Sequence, residues 1–346
     1  MKTQMKMKRI AVLAMGLVLA ALPLLPLAGA AQQVPPGKRI GIIGLDTSHS
    51  PAFVNAFNAD EPDPALLGYR VVAAYPYGSR TIESSYSRIP RYTEEVRARG
   101  VEIVGSIAEL LEKVDVVLLN TNDGRLHLEQ ALEVFRAGKP VFIDKPVAAS
   151  LADAIAIYDA AEHYGVPVFS SSTLRFTPDV QAVRGGSIGQ VTGADAFSPA
   201  TLEPTHPDLF WYGIHGVEIL FAVMGTGCET VSRLHAEGWD VVTCRWRDGR
   251  VGTFRGLREG KTGYGGTAFG TEGIQVLEYE GGYDGLTREV AKFFATGNPP
   301  VTAEETLEIF AFMAAAEESK RREGAPVSLA EVMEQGRREA ATRNDG

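Results

Sequence analysis

Hydrophobic positions along the chain change their period partway. From residue 39 to about 170, short apolar runs alternate with amphipathic stretches. Arg39–Gly44, Tyr69–Tyr75, Val101–Val104, Val114–Asn120, Val141–Asp144 and Val166–Phe169 have the length and near-unbroken apolarity of strands buried on both faces. Between them, Ser50–Asn58, 91–99, 106–113 and 125–137 read as helices. In the last of these, Leu128, Ala131, Leu132 and Phe135 fall at i, i+3, i+4 and i+7, and Gly138 stands where a helix end favours glycine. Ser150 is placed to cap a further helix reaching roughly His163. Strands alternating with helices predict a parallel sheet with right-handed crossovers.

Beyond about residue 190 the period shortens to two. Val231–Ala236, Val241–Trp246, Val251–Gly256 and Gly266–Tyr279 alternate apolar and polar side chains, and Glu237-Gly238 and Asp248-Gly249 supply turns between the first three. Antiparallel hairpins forming a sheet with one open face are expected. A last helix over Ala303–Arg321 begins with Thr302 and Glu305 at the spacing of a capping box. No internal repeat or low-complexity linker is visible. A length of 346 residues favours two domains over one.

The first 30 residues have a different texture. Lys2, Lys6, Lys8 and Arg9 precede an apolar run from Ile10 to Leu27 that closes on Ala28-Gly29-Ala30. This pattern predicts an export signal over residues 1–30, cleaved after Ala30, and a periplasmic or secreted protein. An uncleaved membrane anchor is the alternative, because the run is long for a signal; only then is a membrane a partner. Lys8-Arg9 in place of Arg-Arg favours the unfolded-export route. With 45% hydrophobic and 22% charged residues, the chain is neither disordered nor collagen-like nor a coiled coil. A net charge of -9, more negative still without the basic leader, argues against nucleic acid as a partner. Cys228 and Cys244 are too few for a disulfide scaffold or a four-cysteine zinc site. A turn centred on Glu237-Gly238 pairs Cys228 with about Arg247, a register that favours buried free thiols, although export permits a bond.

Several segments stand in a recognisable order: Lys38–Gly44, Val114–Pro146 with its Asp144-Lys145-Pro146, Arg175–Pro178, Gly213-Ile214-His215, and Gly297–Leu329. Together they resemble the Gfo/Idh/MocA oxidoreductases over nearly all of the chain after the leader. The resemblance implies an α/β protein. Its N-terminal Rossmann domain, residues 36–150, would be a doubly wound parallel sheet for NAD or NADP. Its C-terminal α+β domain, residues 151–335, would carry substrate and oligomer contacts on an open, mainly antiparallel sheet. The resemblance also implies that Lys145 and His215 flank the substrate carbon, position its hydroxyl and take the proton while hydride leaves to nicotinamide. The family's aspartate four residues before the histidine is here Trp211, so Glu218, one helical turn after His215, is the residue expected to orient the imidazole. Tyr212 offers a further hydroxyl.

The cofactor signals depart from the pattern. A dinucleotide loop uses G-x-G-x-x-G for a tight turn, close backbone approach to the pyrophosphate and helix-on-strand packing. Gly44-Leu45-Asp46-Thr47-Ser48-His49 keeps only the first glycine. A carboxylate at Asp46 touching the pyrophosphate would oppose binding by roughly 1–4 kcal/mol. Thr47 and Ser48 hydroxyls would offset part of this; alternatively Asp46 or Ser48 caps the next helix. No acid follows the second strand to hold the ribose. Ser79 and Arg80 stand where a 2′-phosphate of NADP would lie, or Arg80 is a solvated loop charge. Asn120, Asn122, Asp123 and Arg175 lie near strand ends facing the presumed crevice, unless they serve ordinary turn chemistry, and Asn120, Asn122 and His127 complete the expected cofactor set. Arg175, Trp211 and Tyr212 are the expected substrate contacts, since aromatic faces suit the C–H face of a sugar ring. Asp46, His49, His206, Asp208, His215 and Glu218 lack a His-x-x-x-His spacing, and no metal is expected.

Two functions follow. One is an exported NAD(P)-dependent oxidoreductase acting on a sugar, polyol or cyclitol hydroxyl, with a homo-oligomer implied by the family's open sheet. The other is a Rossmann-derived protein that has lost redox work and binds or non-oxidatively cleaves a carbohydrate. Lys145 and His215 favour the first; Asp46, His49 and the missing ribose acid favour the second.

Overall fold

The six apolar runs of the first half pair into one parallel sheet in the computed structural model, which describes residues 37–279 and 281–343. The export signal expected over residues 1–30 lies outside the described residues. The strands are β1 (Arg39–Ile43), β2 (Arg70–Tyr75), β3 (Glu102–Ile103), β4 (Val116–Leu119), β5 (Val141–Asp144) and β6 (Val168–Ser171), in the order β3-β2-β1-β4-β5-β6. That is the doubly wound Rossmann order, whose direction reverses between β1 and β4. The crossovers are α1 (His49–Phe57), α2 (Glu83–Tyr86), α3 (Ile89–Arg97), α4 (Ile107–Lys113), α5 (His127–Arg136) and α6 (Leu151–Tyr164). Ser150 caps α6 by accepting the Asp153 backbone N–H at 3.0 Å.

The parallel sheet draws on more of the chain than residues 36–150. Strand β6 follows α6 and adds the sixth position. Helix α7 (Pro178–Arg184) leads into the second half, which contains β7 (Val191–Pro199), α8 (Ile214–Met224), β8 (Cys228–Ala236), β9 (Trp239–Trp246), β10 (Val251–Leu257), β11 (Gly265–Gly270) and β12 (Ile274–Glu278). Then α9 (Asp284–Thr296) returns to the first sheet. Its Leu286, Val290, Phe293 and Phe294 pack with Ile40, Phe53, Phe142 and Phe169. A sheet face this apolar requires a cover, and the C-terminal half supplies part of it.

The second sheet has seven strands in the order β12-β11-β7-β10-β9-β8-β13, the last being β13 (Val327–Ser328). All neighbours are antiparallel except β7 and β10. The single run expected over 266–279 is two strands turned at Thr271–Gly273. Helices α8, α10 (Ala303–Arg321) and α11 (Leu329–Ala341) complete this half. Gly216 in α8 lies against β10: a Cβ there would come within 2.4 Å of the Phe254 ring, so glycine permits the close helix–sheet approach. The capping box of α10 is half made. Thr302 Oγ1 accepts the Glu305 N–H, but the Glu305 carboxylate accepts from Arg175 Nη1 at 2.5 Å. Among the described residues no helix is long and apolar enough to cross a membrane.

Cys228 and Cys244 are bonded, which overturns the register expected for them. A bulge between Cys228 and Thr230 places Cys228 opposite Trp246, not Arg247. One residue of slip exchanges the faces of a strand, so the bulge turns Cys228 to the face that Cys244 shares with Trp246. The Cα atoms are 6.0 Å apart. Closing a loop with a sequence separation of 16 contributes about 3 kcal/mol. Cys244→Ala, or reduction, is expected to lower the urea unfolding free energy by that amount; an equal midpoint with and without reductant would refute it.

Candidate functional site

The carboxyl ends of β1, β4 and β5 face the start of α8 across a cleft of about 590 Å³. The parallel sheet contributes Thr47, Ser48, His49, Asn122 and Lys145 to its walls. The C-terminal half contributes Trp211, Tyr212, His215, Tyr264, Tyr279 and Tyr283. Of the expected site residues, Thr47, Ser48, His49, Asn122, Lys145, Trp211, Tyr212 and His215 therefore meet in one place.

Asp144 ends β5 with its side chain buried. Its Oδ2 lies 2.7 Å from His49 Nδ1 and 3.9 Å from Lys145 Nζ. Burial alone would push this carboxyl up, but His49, Lys145 and a backbone N–H hold it down at about 2. Burial lowers the His49 imidazole below its ordinary range, with Asp144 opposing. The Tyr283 ring meets His49 edge-on at 4.9 Å.

His215 lies in the first turn of α8, 7% exposed. Burial, with Lys145 and His49 adding to it, drives its pKa well below the usual value, so the ring is neutral at physiological pH. Its Nδ1 is 2.8 Å from Ser172 Oγ, which also accepts the Leu174 N–H at 3.3 Å. Tyr212 and Tyr264 stand edge-on at 5.5 and 5.6 Å. The orienting partner is thus Ser172, which sequence reasoning missed; its signal was the polar Ser170-Ser171-Ser172 run at the end of β6.

Glu218 and Arg175 do not reach the cleft. The Glu218 carboxylate accepts from Arg175 Nε at 2.8 Å and from Ser171 Oγ at 3.4 Å, and Arg175 Nη1 donates to Glu305 at 2.5 Å. A buried guanidinium needs paired carboxylates, and this need takes Glu218 away from His215. The ion triad supports the Ser171-Ser172 segment, so it positions His215 only through Ser172.

The other expected cofactor residues close on one another. Asp46 is fully buried. Its carboxylate accepts the Ser79 N–H at 3.0 Å and the Asn122 N–H at 2.9 Å. Ser79 Oγ donates to Asp123 Oδ2 at 2.8 Å, and Asp123 also pairs with Arg125. The loops after β1, β2 and β4 are thereby tied together. Burial pushes the Asp46 carboxyl up to about 6, against the pull of its backbone donors. At Gly78 a Cβ would come within 2.5 Å of that carboxylate, a measure of how closely the second loop lies on it. Gly44, at φ +95°, is required for the turn. Asn120 donates to Ser50 Oγ, and His127 is buried between the Val147 and Thr121 carbonyls at 3.1 and 2.6 Å. Arg80 lies over the Tyr77 ring in a separate hollow of about 310 Å³ that shares no lining residue with the cleft.

A dinucleotide crossing this edge needs a bare second loop position and an open crevice. Here a carboxylate occupies that position and joins the loops, so the residues present do not fit the group. Among the described residues no cluster of three His, Cys, Asp or Glu side chains is arranged to hold a metal. His206 contacts Asp123 at 3.6 Å, and Asp208 pairs with Arg233 and Lys320.

Residues 38–172 match a family described as an oxidoreductase family with an NAD-binding Rossmann fold. A 1,5-anhydro-D-fructose reductase from Ensifer adhaerens is 36% identical over 107 residues, which span 29% of this chain and 32% of that protein. Scyllo-inositol dehydrogenase from Lactobacillus casei, solved with NAD(H) and scyllo-inositol, shares the fold at a TM-score of 0.66 and 16% identity, covering 84% of this chain and 99% of the other. An oxidoreductase from Agrobacterium radiobacter, solved with NAD+, L-tartaric acid and magnesium, matches at 0.66 and 16% identity over 86% and 99%.

The tie has a pH signature. The folded pKa of Asp46 lies above the ordinary carboxyl value of 3.8, so the folded state is favoured while Asp46 is protonated. That contribution is complete below about 4 and is lost as pH rises through about 6. Asp46→Asn is expected to flatten the fall in melting temperature between pH 4 and pH 6.5, and calorimetric scans showing an unchanged slope would refute the assignment.

Proposed function

We propose, from the match of residues 38–172 to the Gfo/Idh/MocA oxidoreductase family's NAD-binding Rossmann domain, that the cleft takes a sugar- or cyclitol-like ring and transfers a proton at one of the ring's oxygen-bearing positions. The observation that carries this reading is the convergence of Lys145, His215 and His49 in one aromatic-lined cleft. Tyr212, Tyr264, Tyr279 and Trp211 offer faces and hydroxyls suited to a polyhydroxylated ring. The Lys145 ammonium is placed to stabilise negative charge developing on a substrate oxygen. Neutral imidazoles are placed to move the proton. The ring-polyol class also agrees with the inositol and anhydrofructose named for the relatives.

Two versions of this chemistry differ in the cofactor. Oxidation with NAD or NADP is supported by the family domain and by the Lys145–His215 pair. Non-oxidative chemistry is supported by the Asp46 tie across the dinucleotide crevice; we adopt it and derive no hydride step. The basic, then apolar, first 30 residues and the Cys228–Cys244 bond both support an exported protein, since disulfides persist in oxidising compartments. Phe197, Trp239, Val251, Ile274 and Val276 are exposed on strands of the second sheet and support a second copy of the chain as a partner.

Denaturing the protein purified from its native compartment tests the cofactor directly. No nicotinamide should be released, and stoichiometric NAD(H) or NADP(H) would overturn the non-oxidative version in favour of the oxidoreductase. His215→Ala should abolish turnover of any ring substrate while shifting the melting temperature by only a few degrees. A large loss of stability would instead mark His215 as a core residue.

A further inference from the structure

His49 occupies the place where a dinucleotide loop has its third glycine, a position used for close helix-on-strand packing. The chain puts an imidazole there, at the first residue of α1 and in the wall of the cleft. It also builds a partner for that imidazole: Asp144, at the end of β5, with Oδ2 2.7 Å from His49 Nδ1. Phe53 and Tyr283 pack on the ring at 6.1 and 4.9 Å and hold its plane. The charged and titratable groups nearest it are Asp144, Lys145, His215 and Tyr283, and Arg88, Tyr212, Tyr264 and Tyr279 line the same cleft.

We infer that His49 is the general base of this cleft and that the substrate ring carries a carbonyl group, next to which His49 removes a proton. The inference rests on the proposed reading of the cleft as a sugar or cyclitol site. Asp144, an ionised carboxylate beside Lys145, has no proton to give. With that carboxylate 2.7 Å away, Nδ1 is the His49 nitrogen whose protonation is electrostatically favoured, which leaves Nε2 as the bare nitrogen. His215 is built differently. Its partner is the Ser172 hydroxyl, which can donate to Nδ1 and leave Nε2–H as a donor, and Trp211 replaces the carboxylate expected to fix the opposite tautomer. One imidazole is thus fixed as an acceptor and the other is free to donate.

The chemistry needs no oxidant. The C–H bond next to the carbonyl breaks and its proton passes to His49 Nε2. The bonding pair forms a carbon–carbon double bond as the carbonyl oxygen becomes an enolate oxygen, held by the Lys145 ammonium and the His215 N–H. Return of a proton from His49 restores the ketone. Exchange of the His49 proton with solvent in between places solvent hydrogen on the carbon. Without a carbonyl, a carbon-bound proton lies far beyond the reach of an imidazole base, which is why the substrate class is a keto ring.

Two measurements on the full chain test this. With histidine labelled by nitrogen-15, His49 should show Nδ1–H and an unprotonated Nε2; the opposite tautomer would overturn the inference whatever the substrate. With a keto-inositol as probe in deuterium oxide and no added nicotinamide, proton NMR should show loss of the signal next to the carbonyl. His49→Gln should slow this exchange by 10²-fold or more. Asp144→Asn should slow it by a comparable factor, because it releases the tautomer. Melting curves identify a variant that has failed to fold, and the second variant then carries the test. Exchange unaffected by either substitution overturns the inference, as does exchange that needs added nicotinamide. A protein that binds the keto-inositol by calorimetry without exchanging its proton overturns the base assignment alone. No binding of keto-inositol or inositol at millimolar concentration overturns the polyol reading and the inference with it.

Discussion

One buried carboxylate sets the shape of the carboxyl edge of the parallel sheet. Asp46 spends both oxygens on backbone N–H groups, one from the loop after β2 and one from the loop after β4. A side chain with these two bonds draws three loops together at the point where the strand order reverses, where open α/β sheets bind their ligands. Its burial raises the carboxyl toward neutrality and so costs the fold some stability at neutral pH. The remaining opening lies over β1, β4 and β5, and there the histidines, the lysine and the tyrosines meet.

The second constraint is charge burial behind the cleft. Arg175 lies fully inside and takes two carboxylates, Glu218 from α8 and Glu305 from α10. Removing one member would leave the guanidinium under-compensated in a poorly solvated place. The triad joins the turn after β6 to two helices of the second half. It also carries Ser171 and Ser172, so the hydroxyl that meets His215 is held by an ion pair that never touches the cleft. Asp144 and His49 form a separate unit on the opposite wall.

Most of the architecture was legible because buried parallel strands are apolar on both faces and hairpin strands alternate. What escaped was long-range. Helix α9 follows a glycine-rich stretch, and its cover of the first sheet cannot be inferred from nearby residues. The bulge beside Cys228 shifts the strand register by one, which periodicity alone does not reveal. In the site, Lys145, His215 and Trp211, singled out by the resemblance and by the aromatic run before the histidine, all line the cleft. Glu218 and Arg175 were misread, because helical spacing shows which residues share a face but not which buried charge will claim them. Asp46 was recognised as foreign to a phosphate loop, while its bonding to Ser79 and Asn122 required the fold.

The return of α9 to the first sheet bears on the order in which the chain can mature. A segment ending near residue 172 would contain every strand of that sheet yet leave Phe53, Phe142 and Phe169 without the rings of Phe293 and Phe294. The nucleotide-fold half is therefore not a self-sufficient early product of synthesis. It becomes complete only after some 120 further residues have been made. A polypeptide that withholds part of its own core in this way ties the final packing of its first sheet to the making of its second half.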